Sequence, residues 1–489
     1  MTQSRDGKLF LYINSFAAGA ATLIIEIAGT RIMAPFFGTT VFTWSALIGI
    51  TLLSLAAGYY AGGFYSEKAR NYTAVYGVTL LAAFLTALMI VYKNPVLQFS
   101  DLMGAKAGVI FASAALFAPC LFFFGAVSPL SVKYASSELG AGKSAGFIFA
   151  VSTAGSFIGA ILAGYWLIPQ MGIKTVFMIC ALLPALTGLA GVINLKQGVK
   201  NSVMLFCLMC AVLLISFIVT GNYYGRNIKV LFEKENHFGK ILVFDTKANT
   251  RILMVDGTIQ MYYDLIKDEP AAGYIGYLEK AADFGSDKNT ALIVGAGAGA
   301  LTVRLENRGI TTDNIEIDRD IAYIAGKFFG NKVKFIIEDG RRYIRKCGKK
   351  YDLVFFDVFK GYSICPYMAT KEAFQETKAI LNEGGILSMN MVAEAPSAEK
   401  VHSEAVAAVY STLKSVYRNV KFDFKAEGGF ANYVFYASDS DFYPENKAKP
   451  ISGGVVLTDD KNNMENIYSA VVEKWRDNNR QLLGTRFML

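Results

Sequence analysis

The sequence predicts two unlike halves: an N-terminal bundle of about seven membrane-spanning α-helices, then a C-terminal α/β domain. That second half reads as a doubly wound, Rossmann-like sheet preceded by a small antiparallel β subdomain. Three observations predict this. Hydrophobic residues make up 53% of the 489 and the mean hydropathy is +0.35, too apolar for an ordinary soluble enzyme. The excess is uneven: residues 1–222 hold 12 of the 48 Lys/Arg and 5 of the 40 Asp/Glu, leaving 36 and 35 for the rest. After Tyr224 polar and charged residues break every apolar run, and strand-like and helix-like segments alternate. The expected division is a membrane domain over 1–222, a β subdomain over 223–264 and a Rossmann-like α/β domain over 265–489.

The apolar stretches lie at about 9–30, 42–64, 72–93, 107–130, 146–168, 174–194 and 202–221, each near the roughly 20 residues that cross a bilayer. The first is longer than a signal-peptide core and is followed by further spans, so it reads as a retained helix. Gly58, Gly62 and Gly63 in the second span, and Gly155, Gly159 and Ala163 in the fifth, have the spacing that lets helices approach closely in lipid. Glu26 lies inside the first span, and an intramembrane carboxylate demands a partner. Arg31, or a polar group on a neighbouring helix, is the expected one. Leu139-Gly140-Ala141-Gly142-Lys143-Ser144 lacks the first glycine of a phosphate loop, since Ser137 stands there, and reads as a loop between spans.

The net charge of +8 falls as +7 before residue 223 and +1 after it. The basic balance therefore belongs to the membrane half, and no basic stripe marks a nucleic-acid partner. Cys207 and Cys210 have CxxC spacing inside an apolar run and read as filler. With His237 and His402 as the only histidines, a His-rich metal site is excluded, and no metal is expected. The positive-inside bias places the N-terminal side in the cytoplasm, which with seven spans would put the second half outside. The glycine turn of the second half (Gly295, Gly297, Gly299), which suits a nucleoside, argues for the cytoplasm instead. The expectation taken is a multi-pass cell-membrane protein with a cytoplasmic C-terminal domain.

In the second half, Ile228–Glu235, Gly239–Asp245 and Thr250–Gly257 alternate as short strands, with Asp256-Gly257 as a turn. A helix is expected over 271–284. Then follow the strand LIVGAG, a helix near 300–308, the strand NIEID, a helix near 319–328, the strand VKFIIEDG, a helix near 341–346, the strand YDLVFFD, a helix near 370–381 and the strand GILSMN. In such sheets ligands bind at the carboxyl ends of the strands. There the run Ala291–Val294 stops at Gly295, with Gly297 and Gly299 beyond, a turn that lets backbone approach a nucleoside. Carboxylates end three successive strands. Glu316 stands about 20 residues past the turn, where it can accept both ribose hydroxyls. Asp339, followed by Gly340, can accept from an adenine amino group, and Asp357 faces the reacting group. Any one of them could be a helix N-cap; three beside a glycine turn point to a site.

The second half resembles the spermidine/spermine synthase (polyamine aminopropyltransferase) family, and specifically its membrane-fused branch. The stretches that carry this are VDGTIQ (255–260), VGAGAGAL (294–301), EID (316–318), EDGRRYI (338–344), YDLVFFDVFKG (351–361), PYMATKEAF (366–374) and LTDD (457–460). EIAGTRIMAPFFGTT (26–40) and STAGSFIGAILAGYWLIP (152–169) resemble the fused branch. The resemblance implies a Rossmann-like transferase whose donor is S-adenosylmethionine or its decarboxylated form and whose acceptor is a small amine. It also implies a homodimer. Gln260 would touch the nucleoside, Glu316 the ribose and Asp339 adenine, while Asp357 would orient and deprotonate the amine. Tyr274, Tyr277, Lys360, Tyr362, Asp459 and Asp460 are candidates for the substrate end. Ala298 stands where the soluble synthases hold the donor's amine with an aspartate, and Lys360 where a second aspartate binds polyamine. A His-Glu pair of the family is replaced in the region of Asp268, Glu269, Tyr274 and Tyr277. Two other readings compete: a methyl- or aminocarboxypropyl-transferase using S-adenosylmethionine, and a membrane transporter or sensor that binds a nucleoside without turnover.

Overall fold

The computed structural model describes residues 5–38, 40–68, 72–219, 228–271, 273–285, 288–360, 363–396, 402–427, 429–442 and 451–483. It divides into two compact units, one holding the helices together with Glu233–Ile241, the other holding Leu242–Gly484 with the start of the first strand.

The first unit has helices α1 (Arg5–Phe37), α2 (Val41–Lys68), α3 (Thr73–Asp101), α4 (Gly104–Leu139), α5 (Ala141–Met171), α6 (Ile173–Leu195) and α7 (Val199–Val219). All seven are long and apolar enough to cross a membrane. Helix α5 contains one π-helical stretch, Ala163–Leu167. The glycines pack helix backbones together. A Cβ on Gly58 would lie 2.1 Å from the Phe122 carbonyl oxygen, and one on Gly155 2.1 Å from that of Phe16, so α2–α4 and α1–α5 touch main chain to main chain. Gly63 is different and faces open space. Buried polar side chains tie α1 to its neighbours: Asn14 donates to Thr79 (2.9 Å) and accepts from Thr187 (3.2 Å), and Ser15 donates to Ser131 (3.1 Å).

Of the two kinds of partner expected for Glu26, Arg31 instead donates to the His237 carbonyl. One expectation is corrected here: 139–144 is not a loop, for α4 ends at Leu139, α5 begins at Ala141, and Gly140 alone, at φ +77°, makes the break.

After the helices the chain forms a five-stranded meander: β1 (Ile228–Glu235), β2 (Lys240–Thr246), β3 (Thr250–Val255), β4 (Thr258–Asp264) and the short β5 (Glu269–Pro270). Asp256 and Gly257 both have positive φ (47° and 75°), the geometry of the two-residue hairpin turn the sequence signalled. The expected helix over 271–284 is shorter. It comprises α8 (Tyr274–Glu279) and a 3₁₀ turn to Asp283.

The larger sheet follows, with β6 (Thr290–Val294), β7 (Thr311–Glu316), β8 (Phe335–Ile337), β9 (Tyr351–Phe356) and β12 (Leu381–Glu394), a small hairpin β10 (Phe359–Lys360) and β11 (Ser363–Ile364) intervening. Two further strands, β13 (Asn419–Glu427) and β14 (Phe430–Ser438), complete the order β13-β14-β12-β9-β6-β7-β8. The five strands from β12 to β8 are parallel, and β14 and β13 add antiparallel to one edge. The sheet is thus mixed, a doubly wound parallel core with an antiparallel edge. The chain runs outward from β6 to β8, then returns to β9 on the other side of β6, so the order reverses between β6 and β9. A crevice opens at such a reversal, at the carboxyl ends of the strands.

Candidate active site

β6 is apolar and buried on both faces, as a central parallel strand must be. It ends at Gly295, whose N–H donates to the Ile315 carbonyl (3.0 Å). Gly295 has φ +82°, and a Cβ there would stand 2.3 Å from the Asp357 carbonyl oxygen, so no side chain fits. The loop then reaches Gly299, also at φ +82°, which caps α9 (Ala300–Asn307), and α10 (Arg319–Phe329) follows β7. Between them a Cβ on Gly297 would meet nothing within 4 Å: the loop leaves space on that side.

Glu316, at the end of β7, supports this loop. One carboxylate oxygen accepts from Gly297 N–H (3.1 Å), the other from Asp318 N–H (3.0 Å). Burial pushes its pKa up to about 7, and the two backbone donors only partly offset that. Asp339 caps α11 (Gly340–Lys346), accepting from Arg342 N–H (2.9 Å), and also receives the Tyr367 hydroxyl (2.7 Å). Gly340 packs against β6, where a Cβ would collide with Val294.

Asp357 follows β9, and its N–H donates to the Val294 carbonyl across the reversal point (3.0 Å). Its side chain accepts from two donors. Asn390 Nδ2 gives to Oδ1 (2.8 Å) and the Tyr274 hydroxyl to Oδ2 (3.0 Å). Asn432 donates in turn to Asn390 Oδ1 (3.1 Å), so a polar chain runs from β14 through β12 to Asp357 and α8. Burial raises the Asp357 carboxyl above the usual aspartate range, with the Asn390 and Tyr274 bonds opposing. Burial, then the adjacent Asp357 charge, holds the Tyr274 phenol well above its ordinary value, so it remains a donor.

These groups line one cavity of about 440 Å³. Its walls include the Gly295–Ala298 loop, Gln260, Tyr262, Tyr274, Asp357, Asn390, Lys425, Asn432 and Trp475. Gln260 reaches it through a bulge. Leu253 pairs with Met261 and Met254 with Ile259, leaving Gln260 as the extra residue of β4. A bulge of this kind re-aims a side chain.

The sequence-derived candidates divide accordingly. Gln260, Tyr274, Gly295, Gly297 and Asp357 meet at the cavity, and Glu316 braces its loop. Tyr277 turns elsewhere, its carbonyl accepting the Tyr436 hydroxyl (2.6 Å) and its ring carrying Lys280 Nζ at 4.5 Å. Asp459 is engaged by both Nη atoms of the buried Arg341 (2.7 Å each), an ion pair that fixes residues near 459 to α11. Neither Asp459 nor the exposed Asp460 lines the cavity. Lys360 pairs through its backbone with Ser363 in the β10–β11 hairpin, and Tyr362 lies outside the described residues. Asn390, Lys425, Asn432 and Trp475 were not singled out from sequence. Asn390 had a signal, as another polar residue near a strand's carboxyl end.

Residues 280–426 match the spermine/spermidine synthase domain family. A polyamine aminopropyltransferase of Thermoplasma volcanium is 25% identical over 264 residues, 48% of this chain and 90% of that protein. Polyamine aminopropyltransferase 2 of Pseudomonas aeruginosa is 26% identical over 40% of this chain and 58% of its own length. Among solved structures, a probable spermidine synthase from Corynebacterium glutamicum shares 17% identity over 45% of this chain and 83% of that one, at a TM-score of 0.37. A spermidine synthase in complex with the transition state analogue AdoDATO shares 18% over 52% and 89%, also at 0.37. The second unit therefore carries a spermine/spermidine synthase domain. It is a transferase domain of the polyamine aminopropyltransferase type.

Proposed function

We propose that this protein is a membrane-anchored transferase that moves an alkyl group from a sulfonium nucleoside to an amine. The donor is S-adenosylmethionine or its decarboxylated form. The observation that carries this is Asp357, held between Tyr274 and Asn390 in the cavity that the glycine turn opens. An amine attacks only when neutral. Asp357 orients the amine N–H and accepts the proton released as the nitrogen–carbon bond forms. The carbon–sulfur electron pair stays on sulfur, which leaves as a neutral thioether. Since a sulfonium leaves readily, holding donor and amine in line supplies much of the rate. In this reading Glu316 accepts ribose hydroxyls, Gln260 touches the nucleoside and Asp339 reads adenine. The seven apolar helices support anchoring in a lipid bilayer, and the nucleoside donor supports a cytoplasmic face. A homodimer is the assembly we propose by analogy with soluble synthases.

The test is the full chain in detergent, supplied with either labelled donor and a panel of amines, with products weighed by mass spectrometry. Methylthioadenosine and an N-alkylated amine are expected in equal amounts. Nucleoside binding without any product would instead identify a non-catalytic receptor, and a methylated product a methyltransferase.

A further inference from the structure

Three strands each bring one side chain towards the same point. In the register of β9 and β12, Phe356 pairs with Met389, so Asp357 and Asn390 are the next two residues along, side by side. In the register of β12 and β14, Asn390 pairs with Val434 and Val392 with Asn432. Asn390 and Asn432 are therefore diagonal neighbours on one face of the sheet, within side-chain reach. Asn432 Nδ2 donates to Asn390 Oδ1 (3.1 Å), and Asn390 Nδ2 donates to Asp357 Oδ1 (2.8 Å).

The direction of this chain has a chemical consequence. A primary amide has a donor end and an acceptor end, whereas an ionised carboxylate only accepts. With Asn390 turned over, its oxygen would face the Asp357 carboxylate and its NH2 would face the NH2 of Asn432. Both contacts would then repel, unless Asp357 took up a proton and Asn432 turned over too. The donor that Asn432 presents thus selects the Asn390 orientation in which Asp357 is an acceptor. Tyr274 holds the other oxygen (3.0 Å), so each oxygen uses one lone pair on the protein and keeps another. Burial raises the Asp357 carboxyl and the Asn390 bond opposes it, so an Asn390 able to turn over leaves burial less opposed.

We propose that Asn432 is a positioning residue for the transfer step: acting through Asn390, it keeps Asp357 in the accepting state and orientation that the attacking amine needs. This rests on the transferase reading above. The proton still passes from the amine nitrogen to an Asp357 oxygen, and Asn432 exchanges none.

The experiment uses full-length protein in detergent and reads Asp357 without any substrate. Infrared spectra are recorded from pH 4 to 9, each variant against its own Asp357→Asn counterpart. The difference isolates the Asp357 carboxyl from Tyr262, Tyr274 and Lys425, the other titratable groups that line the cavity among the described residues. Asn390→Leu should raise the titration midpoint by about one pH unit or more, the usual effect of losing a hydrogen bond to a charged group. Asn432→Leu should raise it by about half that or more, while Asn432→Gln, which keeps an NH2 donor, should stay near the parent value. The double variant Asn390→Leu/Asn432→Leu should rise no further than Asn390→Leu alone. Asn432→Ala reads the same loss should the leucine variant fail to fold. In turnover of putrescine, or of the first amine in the panel above to yield product, the acid limb of the kcat profile should move up in step with the midpoint, with methylthioadenosine affinity kept within twofold. A midpoint unmoved by Asn432→Leu, or a second full increment in the double variant, overturns the inference and makes Asn432 a direct wall contact or a structural residue. A parent protein that binds methylthioadenosine but makes no product overturns the transferase reading instead, and the midpoints still decide what Asn432 does to Asp357.

Discussion

Asp357 and Glu316 are both buried carboxylates at strand ends, yet their surroundings prepare them for different work. Asp357 accepts from two neutral side chains and faces the cavity. Asp357→Asn should lower kcat by about 10²- to 10⁴-fold, the usual contribution of a positioned base, with methylthioadenosine affinity kept within a few-fold in calorimetry. Normal turnover in that variant would make Asp357 a structural residue. Glu316 braces the loop through backbone N–H groups, and its pKa of about 7 lies above the ordinary 4.5. A raised carboxyl pKa favours the protonated folded state. Its contribution to stability is therefore complete below pH 4.5 and is lost as pH climbs through 7, amounting to about 3 kcal/mol for a shift of this size. Ribose hydroxyls, by contrast, donate to the ionised form. Affinity for methylthioadenosine should rise as pH passes through 7, and Glu316→Gln should flatten that rise. Titrations at pH 5.5, 7 and 8.5 would check it, and an equally steep profile in the variant would exclude Glu316 as its source. The strand-end carboxylates were legible because a strand that stops at a glycine or an acid is a local signal. What each carboxylate touches was not. Asp339 both caps a helix and bonds Tyr367, and a cap looks the same in sequence as a ligand-binding acid.

At the scale of elements, the long helices were legible from length and hydropathy alone, though their ends were not. Helix α1 begins at Arg5 rather than near Leu9, adding the polar turn Arg5–Lys8 before its apolar span, and continues past Arg31 to Phe37. The glycine spacing in α2 and α5 anticipated close packing, and the main-chain contacts at Gly58 and Gly155 give it a measurable consequence. Gly58→Leu should separate α2 from α4 and destabilise the helical unit by about 1–3 kcal/mol or more, whereas Gly63→Leu, facing open space, should leave it near parental stability. Thermal denaturation in detergent would compare them, and equal losses would contradict the packing described. The hairpin β13–β14 escaped the sequence reading. β14 carries a long apolar and aromatic run, and such a run does not distinguish a buried strand from a helix, whereas β13 alternates apolar and polar residues with a strand's period of two. The bulge that turns out Gln260 leaves no trace in composition, since it is set by the pairing of β3 with β4.

For the whole molecule, two units with separate cores imply more than one unfolding step. Heating the full chain in detergent should give two transitions. Saturating methylthioadenosine should raise only one of them, by the linkage that stabilises whichever unit binds. A single transition moved as a block would mean that the two units unfold together. The partition into an apolar and a mixed-charge half was legible because it is written in composition over hundreds of residues. The cavity wall was not, because Lys425, Asn390 and Tyr274 are far apart in the chain and meet only through sheet order. That same order has an evolutionary consequence. The glycine loop grows from β6 inside the sheet, while Lys425 and Asn432 ride on a hairpin at its edge. An edge hairpin can be exchanged or shifted without disturbing the central strands, and a one-residue slip in register turns both side chains to the opposite face. Relatives that share one glycine loop can therefore diverge in the facing wall of the cavity by changing a single peripheral ribbon.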